Sequence, residues 1–418
     1  MHRSVSLFVF IDAFGWKLLE RHPFLDDVLS VRRPLDTVLG YSSTCDPTIL
    51  TGLAPREHGH FAFYAYAPDR SPFGSLAWMR ILPRSLTDRG RVRHHLSRVV
   101  GRALGYRGYF QLYAMPFGHL PLFEYTETRD IYQPGGINGG QPTVFDHLRG
   151  ADVPFHLSDW RRPESTNLAD AERALASGES SFAYVYLAAM DAILHRDGTT
   201  SESVAVKIRE YDLALRRLLS AAQRGHDEVR LFVFSDHGMT DVVECHDLLR
   251  SLNSVGLRFG VDYVAVFDST MARFWYLRDD ARERIRALCQ RNPFGRLLTA
   301  DELEAHGCDF PGDRYGEDFF LLDPGVLLCP SHLSTKPVAG MHGYDPAHED
   351  SVAMYASNVE SPHTPRGLAD LHDLMMAEAG LSPRTKAEPS AAPAPMKTAP
   401  TPTAPTAPTA PTEQGESP

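Results

Sequence analysis

Three aspartates and three histidines, spread along most of the chain, offer the donor set of a metal centre. Asp191 and His195 stand four apart in DAILH, His237 follows Asp236 in SDHGM, His342 lies in GMHGYDP, and Asp12 closes the apolar run SLFVFID. Carboxylates gathered in one place repel one another, and divalent cations are the usual means of holding such a cluster. Six nitrogen and oxygen donors suffice for two ions with three protein ligands each, leaving positions open for substrate and water. Imidazole with carboxylate suits zinc best, with manganese the weaker candidate. Taken singly, each element is as readily a turn, a cap or a helix-surface pair; the set points to a metal site. A second stretch, YSSTCDPTILTG at 41–52, carries hydroxyls at Ser42, Ser43, Thr44, Thr48 and Thr51 and a thiol at Cys45. An oxygen bound to a divalent cation loses its proton readily, so any hydroxyl beside the metals could act as nucleophile without a histidine base.

These residues need elements to bring them together. Short apolar runs at 6–12, 154–160, 182–191 and 229–236 predict strands. Between the last two, 201–225 repeats Val204, Ile208, Tyr211, Leu215 and Leu218 at helical spacing, with Gly225 as a stop. Strand, helix, strand of this size is a parallel crossover. The pattern predicts an α/β fold, a three-layer sandwich with a predominantly parallel central sheet, helices on both faces and inserted cap regions. Three of the four runs end in a carboxylate, Asp12, Asp191 or Asp236. Strand C-termini of a parallel sheet open on one edge, so the three acids should converge there. The hydroxyl stretch 41–52 is expected at the end of a buried strand.

The core is expected over 1–60 and 141–381, with 246–335 inserted within it. Residues 61–140 form an aromatic, arginine-rich insertion containing Arg80, Arg84, Arg89, Arg91, Arg93, Arg98, Arg102 and Arg107. RVRHHLSRVVGRAL has the spacing of a solvated amphipathic helix, while Arg91 and Arg93 are also candidates to pair with an anionic substrate tail. Tyr64, Tyr66 and Trp78 are expected to build the core of a cap. From about Ser382 the chain is rich in Pro, Ala and Thr, a composition that buries too little apolar surface to fold.

The net charge of −11 argues against a nucleic-acid polymer or a membrane as partner. Five scattered cysteines without CxxC spacing support neither a disulfide framework nor a cysteine zinc site, and favour a reducing compartment. The N-terminal apolar run LFVFI is too short for a signal peptide, and no stretch approaches the roughly 20 apolar residues of a membrane span. The cytoplasm is the expected location, and the oligomeric state is left open.

FVFIDAFG, SSTCDPTILTG followed by PREHGH, MDAILHRDG, FSDHGMTD and AGMHGYDP, in that order, resemble the alkaline phosphatase superfamily. The nearest branch is that of the nucleotide pyrophosphatases/phosphodiesterases, and the resemblance spans about residues 5–358. It implies two metal ions, usually zinc, about 4 Å apart. Asp191, His195 and His342 would hold one; Asp12, Asp236 and His237 would hold the other together with the nucleophile. Family members place that nucleophile ten residues before the glycine of a TG pair, and counting back from Gly52 reaches Ser42, with Ser43 and Thr44 next if the register shifts. The implied activity is hydrolysis of a phosphodiester or pyrophosphate bond of a small phosphorylated molecule through a phosphoseryl intermediate. A phosphomonoesterase or phosphonate hydrolase is the alternative; a phosphomutase or a non-catalytic scaffold is less favoured, the mutase because a long segment separates His237 from His342. A sulfatase is excluded by the absence of its C/S-x-P-x-R sequence. His58 and His60 are expected to be structural. One departure is Cys45, where the branch carries an asparagine that donates to phosphate: either backbone groups or another donor replaces it, or the substrate differs from a nucleotide, so Cys45 is a candidate substrate contact, with a small buried filler the favoured reading over a catalytic role.

Overall fold

Strands that are apolar on both faces need cover on both faces, and this requirement organises the chain. The computed structural model describes residues 3–81 and 89–382. Its elements, in chain order, begin with strands β1 (Ser4–Ile11) and β2 (Val31–Leu35) and helices α1 (Ser42–Thr51) and α2 (Gly90–Ala103). Then come β3 (Phe155–Leu157), α3 (Glu164–Ser177), β4 (Phe182–Leu187), α4 (Ala189–Asp197), α5 (Glu202–Gly225) and β5 (Glu228–Phe234). The second half adds β6 (Tyr263–Phe267), β7 (Met271–Tyr276), α6 (Asp279–Arg291), β8 (Gly295–Leu297), β9 (Asp318–Leu322), β10 (Ala353–Ser357) and α7 (Asp370–Glu378).

The central sheet has the order β2-β10-β5-β1-β4-β3. β1 runs parallel to β4 and β5, and β3 to β4, while β10 is antiparallel to both β5 and β2. Along β1 the odd residues Leu7, Val9 and Ile11 meet Leu175 of α3 and Ile208 and Leu215 of α5. The even residues Phe8 and Phe10 face Ile49 of α1 and Leu374 of α7. Phe8 stacks between Phe182 and Phe232 of the flanking strands, with ring centroids 5.0 and 4.7 Å away. The α/β class and mostly parallel sheet are those expected from the sequence.

Two elements differ. The run 182–191 is not one strand: β4 stops at Leu187, and Asp191 lies in the first turn of α4. The stretch 41–52 is not a strand end but helix α1, capped by Gly52 in the left-handed conformation.

The second insertion contains an antiparallel sheet of order β6-β7-β9-β8. It shares a core with the first insertion, in which Tyr64, Phe73, Leu112 and Phe123 pack with Val264 and Trp275. Tyr64 is a core residue as expected, whereas Trp78 is 60% exposed. Core and insertions belong to one compact unit. Arg84 and the Pro/Ala/Thr-rich stretch beyond Ser382 lie outside the described residues. No helix among the described residues is long and apolar enough to cross a membrane.

Phe8→Ala removes a ring that bridges three strands at full burial. It should lower stability by about 3–5 kcal/mol, read as a fall in the urea midpoint at unchanged slope.

Candidate metal centre

After β1 the chain turns at Asp12 and Ala13. Ala13 adopts φ 61°, unusual for a residue with a side chain, and its N–H donates to Asp236 Oδ1 at 3.1 Å. This bond ties the end of β1 to the loop after β5. The two loops then touch at glycines: a Cβ on Gly15 would lie 2.4 Å from Gly238 Cα, and one on Gly238 only 2.1 Å from Asp350 O. Gly343, with φ +89°, similarly leaves room for the Tyr41 ring, 2.6 Å from where its Cβ would stand. The glycine that follows each loop histidine is therefore a spatial necessity.

On α4, Asp191 and His195 are one turn apart, with Oδ1 and Nε2 separated by 3.2 Å. His342 Nε2 lies 3.6 Å from the same oxygen. His237 Nε2 is the second focus, 3.0 Å from Asp236 Oδ2, 3.1 Å from Ser42 Oγ and 3.9 Å from Asp12 Oδ1. The His237 and His342 rings lie face to face with centroids 3.7 Å apart, so the two foci adjoin. Asp191 belongs to both groups of converging ligand atoms, one with His195 and His342 and one with Asp12 and His237.

The surroundings orient these donors. His195 Nδ1 donates to Gly340 O at 2.8 Å and His237 Nδ1 to Gly238 O at 2.9 Å, which leaves each Nε2 as the free ligand atom. The Tyr186 hydroxyl donates to Asp12 Oδ2 at 2.5 Å. Asp12 Oδ1, Asp191 Oδ1 and Asp236 Oδ2 are buried and receive no hydrogen bond. Burial, followed by Asp236 and Asp191, pushes the Asp12 carboxyl well above its ordinary range. Against the effect of burial, Asp236 and Asp191 raise His237 to about 9, while burial and the facing His237 hold His342 well below its usual value. Unpaired carboxylate oxygens crowded against one another are repulsive, and divalent cations fit this set of carboxylate and imidazole donors.

The six acid and imidazole residues expected from the sequence are thus brought together, with Ser42 among them as the first residue of α1. Ser43 and Thr44 instead donate to Phe61 O at 2.9 and 2.7 Å. His58 and His60 are buried and internally bonded: His58 Nε2 to Thr48 Oγ1 at 3.0 Å, and His60 Nδ1 to Glu127 at 2.8 Å.

Three residues offered as candidate substrate contacts lie away from the cavity. Cys45 is 1% exposed, packs in the core with Ile49 and Leu50, and does not line the cavity. Arg93 is also buried, donating to Met115 O with its guanidinium 4.1 Å over the Phe117 ring. Arg91 points to solvent on α2 and does not line the cavity.

The cavity over the metal centre has a volume of about 570 Å³, ample for a nucleotide-sized ligand. Its wall adds residues the sequence did not single out, among them Asp46, Phe63, Tyr113, Trp160 and Lys336. Asp46 had a readable signal: it lies four residues after Ser42, on the same helical face. Its Oδ1 has no partner, and burial followed by Asp236 raises its carboxyl well above the ordinary range.

A family model described as type I phosphodiesterase/nucleotide pyrophosphatase matches residues 6–345. No curated protein matches the sequence. Among solved structures, murine ectonucleotide pyrophosphatase/phosphodiesterase 5 is similar, with a TM-score of 0.64 at 17% identity, covering 91% of this chain and 96% of that one. An inactive variant of the murine protein in complex with AMP gives 0.63 at 18% identity, with 92% and 96% covered. The human counterpart gives 0.63 at 15%, with 91% and 96% covered.

Asp12→Asn keeps the acceptor for Tyr186 but removes one of the crowded charges. The chelator-treated variant should melt above chelator-treated wild type by about 2 °C, and the rise that added zinc gives wild type should largely vanish, as read by differential scanning fluorimetry.

Proposed function

The chain belongs to the type I phosphodiesterase/nucleotide pyrophosphatase family, and from that premise we propose that it hydrolyses a phosphodiester or pyrophosphate bond of a small molecule, with Ser42 as nucleophile beside a two-zinc centre. The observation that carries the assignment is the position of Ser42 Oγ, 3.1 Å from His237 Nε2 in the midst of the carboxylate and imidazole donors. Ions held by Asp191, His195 and His342, and by Asp12, Asp236 and His237, would supply neutralisation of phosphate charge and a lowered pKa for the serine hydroxyl.

The remaining steps fall to the chain itself. Ser42 opens a ten-residue helix, whose N-terminal amides and dipole favour an anionic phosphoryl group at that end. The Ser42 oxygen forms a bond to phosphorus in line with the departing oxygen, giving a phosphoserine and the released alcohol or phosphate. Water then attacks the same phosphorus, and the Ser42 oxygen leaves with a proton. Tyr186 holds Asp12 in place throughout by its hydrogen bond. The AMP complex of the murine neighbour supports a nucleotide as the small-molecule class, and the roomy aromatic cavity is compatible with one.

Nitrophenyl phosphodiesters should be cleaved faster than the matching monoester and phosphonate. Ser42→Ala should reduce the diester rate on the order of a thousandfold or more, and Ser43→Ala about tenfold at most. A monoester preference, or full activity in Ser42→Ala with loss in Ser43→Ala, contradicts the proposal.

A further inference from the structure

Helix α2 divides its residues cleanly. Arg93, Ser97 and Val100 are buried, while Arg91, His95, Arg98 and Arg102 are exposed. Their spacings of four, three and four place these four residues in one stripe along the helix. From Arg89 to Arg107 the sequence contains no acid. Among the described residues, no ion pair or hydrogen bond engages the side chains of Arg91, Arg98 or Arg102. Several other surface arginines of this acidic protein are paired, Arg216 with Asp27 and Asp212, Arg286 with Asp318 and Arg230 with Glu378, while the single unpaired ones among the described residues, such as Arg33 and Arg250, do not form a stripe.

Apolar groups accompany the stripe. Val99 is 50% exposed on α2, and the 3₁₀ segment Gly74–Ile81 presents Trp78 at 60% and Ile81 at 76%. The segment and the helix share a floor. Arg93 donates to Met115 O, and the Arg80 Cβ lies against Gly118 three residues on. Phe110 both stacks on Phe73 and touches Gly101.

Unpaired guanidinium groups beside an exposed tryptophan and aliphatic side chains match one kind of surface, an anionic bilayer. Its headgroups take the arginines, and its interface takes the indole and the aliphatic groups. A nucleic-acid backbone would satisfy the arginines and leave Trp78, Ile81 and Val99 in water. The net charge of −11 repels the rest of the protein from such a bilayer, so only this face can approach. We propose that the stripe Arg91–Arg98–Arg102 with Trp78, Ile81 and Val99 is a docking surface for anionic lipid membranes.

The test is co-sedimentation of the full chain with phosphatidylcholine vesicles containing a third phosphatidylglycerol, against pure phosphatidylcholine vesicles, alongside hydrolysis of a soluble diester. Wild type should bind the anionic vesicles selectively and be released by salt. R98E/R102E should lose at least about thirtyfold in partitioning. W78A/I81A should weaken binding at low salt, and both variants should keep the soluble activity and the thermal midpoint of wild type. If the charge reversals unfold the protein, R98Q/R102Q provides the same comparison. Absence of wild-type binding, equal binding to neutral vesicles, or unchanged binding of a folded charge variant overturns the proposal. So does duplex DNA binding of equal strength that ignores W78A/I81A, which would identify a polyanion site.

Discussion

The carboxylates of Asp12, Asp191 and Asp236 are crowded against one another at one edge of the sheet, and the neighbouring structure is arranged to keep them there. Side chains in that situation would ordinarily swing apart or take up protons, and the upward push on Asp12 shows the second tendency. Swinging apart is prevented by backbone. Ala13 N–H clamps Asp236, the Gly15–Gly238 contact locks the two loops, and Tyr186 fixes the far oxygen of Asp12. Asp46 adds a fourth acid, raised by burial and then by Asp236. The repulsion is thereby stored as an affinity for cations, and breaking one carboxylate is expected to release it.

The second insertion takes part in that arrangement. Thr270, in the turn between β6 and β7, uses its N–H to donate to the Tyr41 hydroxyl at 3.2 Å and its own hydroxyl to donate to Gly343 O at 2.7 Å. Tyr41 in turn donates to Thr270 Oγ1 at 2.9 Å. Tyr41 is the N-cap of the helix that Ser42 opens, and Gly343 follows His342. One threonine therefore couples the helix of the proposed nucleophile to the loop that carries His342. This gives a physical reason for the long excursion between His237 and His342: it returns with a brace for the site.

The donor set was legible because its chemistry is carried by residue type, and β1, β5 and α5 because their apolar periods are long and uninterrupted. Asp191 was found for a partly mistaken reason: it was expected at a strand end, yet its spacing from His195 is the helical one that the structure uses. The helix at 41–52 was hidden by Pro47 and by threonines at 44, 48 and 51, which weaken any helical signal. Cys45, on that helix, falls inward beside Ile49 and Leu50, where a small buried filler belongs. The arginine cluster shows the same limit, since Arg91 and Arg93 differ only in the helical face they occupy, and the face is decided by what the aromatic segment 110–123 packs against.

The acid and imidazole donors and much of the cavity wall come from different parts of the chain. Each proposed metal ligand, and Ser42, belongs to the loops and helices of the α/β core, whereas much of the cavity wall comes from the insertions. Tyr113 illustrates the difference. It adopts φ 47°, costly for a residue with a bulky side chain, and the surroundings hold it there: its ring stacks on Phe63 and its hydroxyl donates to Tyr109. This strained aromatic lines the cavity from a segment that contributes none of the carboxylate and imidazole donors. Phe63, Tyr113 and Trp160 form the aromatic side of the cavity, and Cys45, sealed in the core, has no part in it.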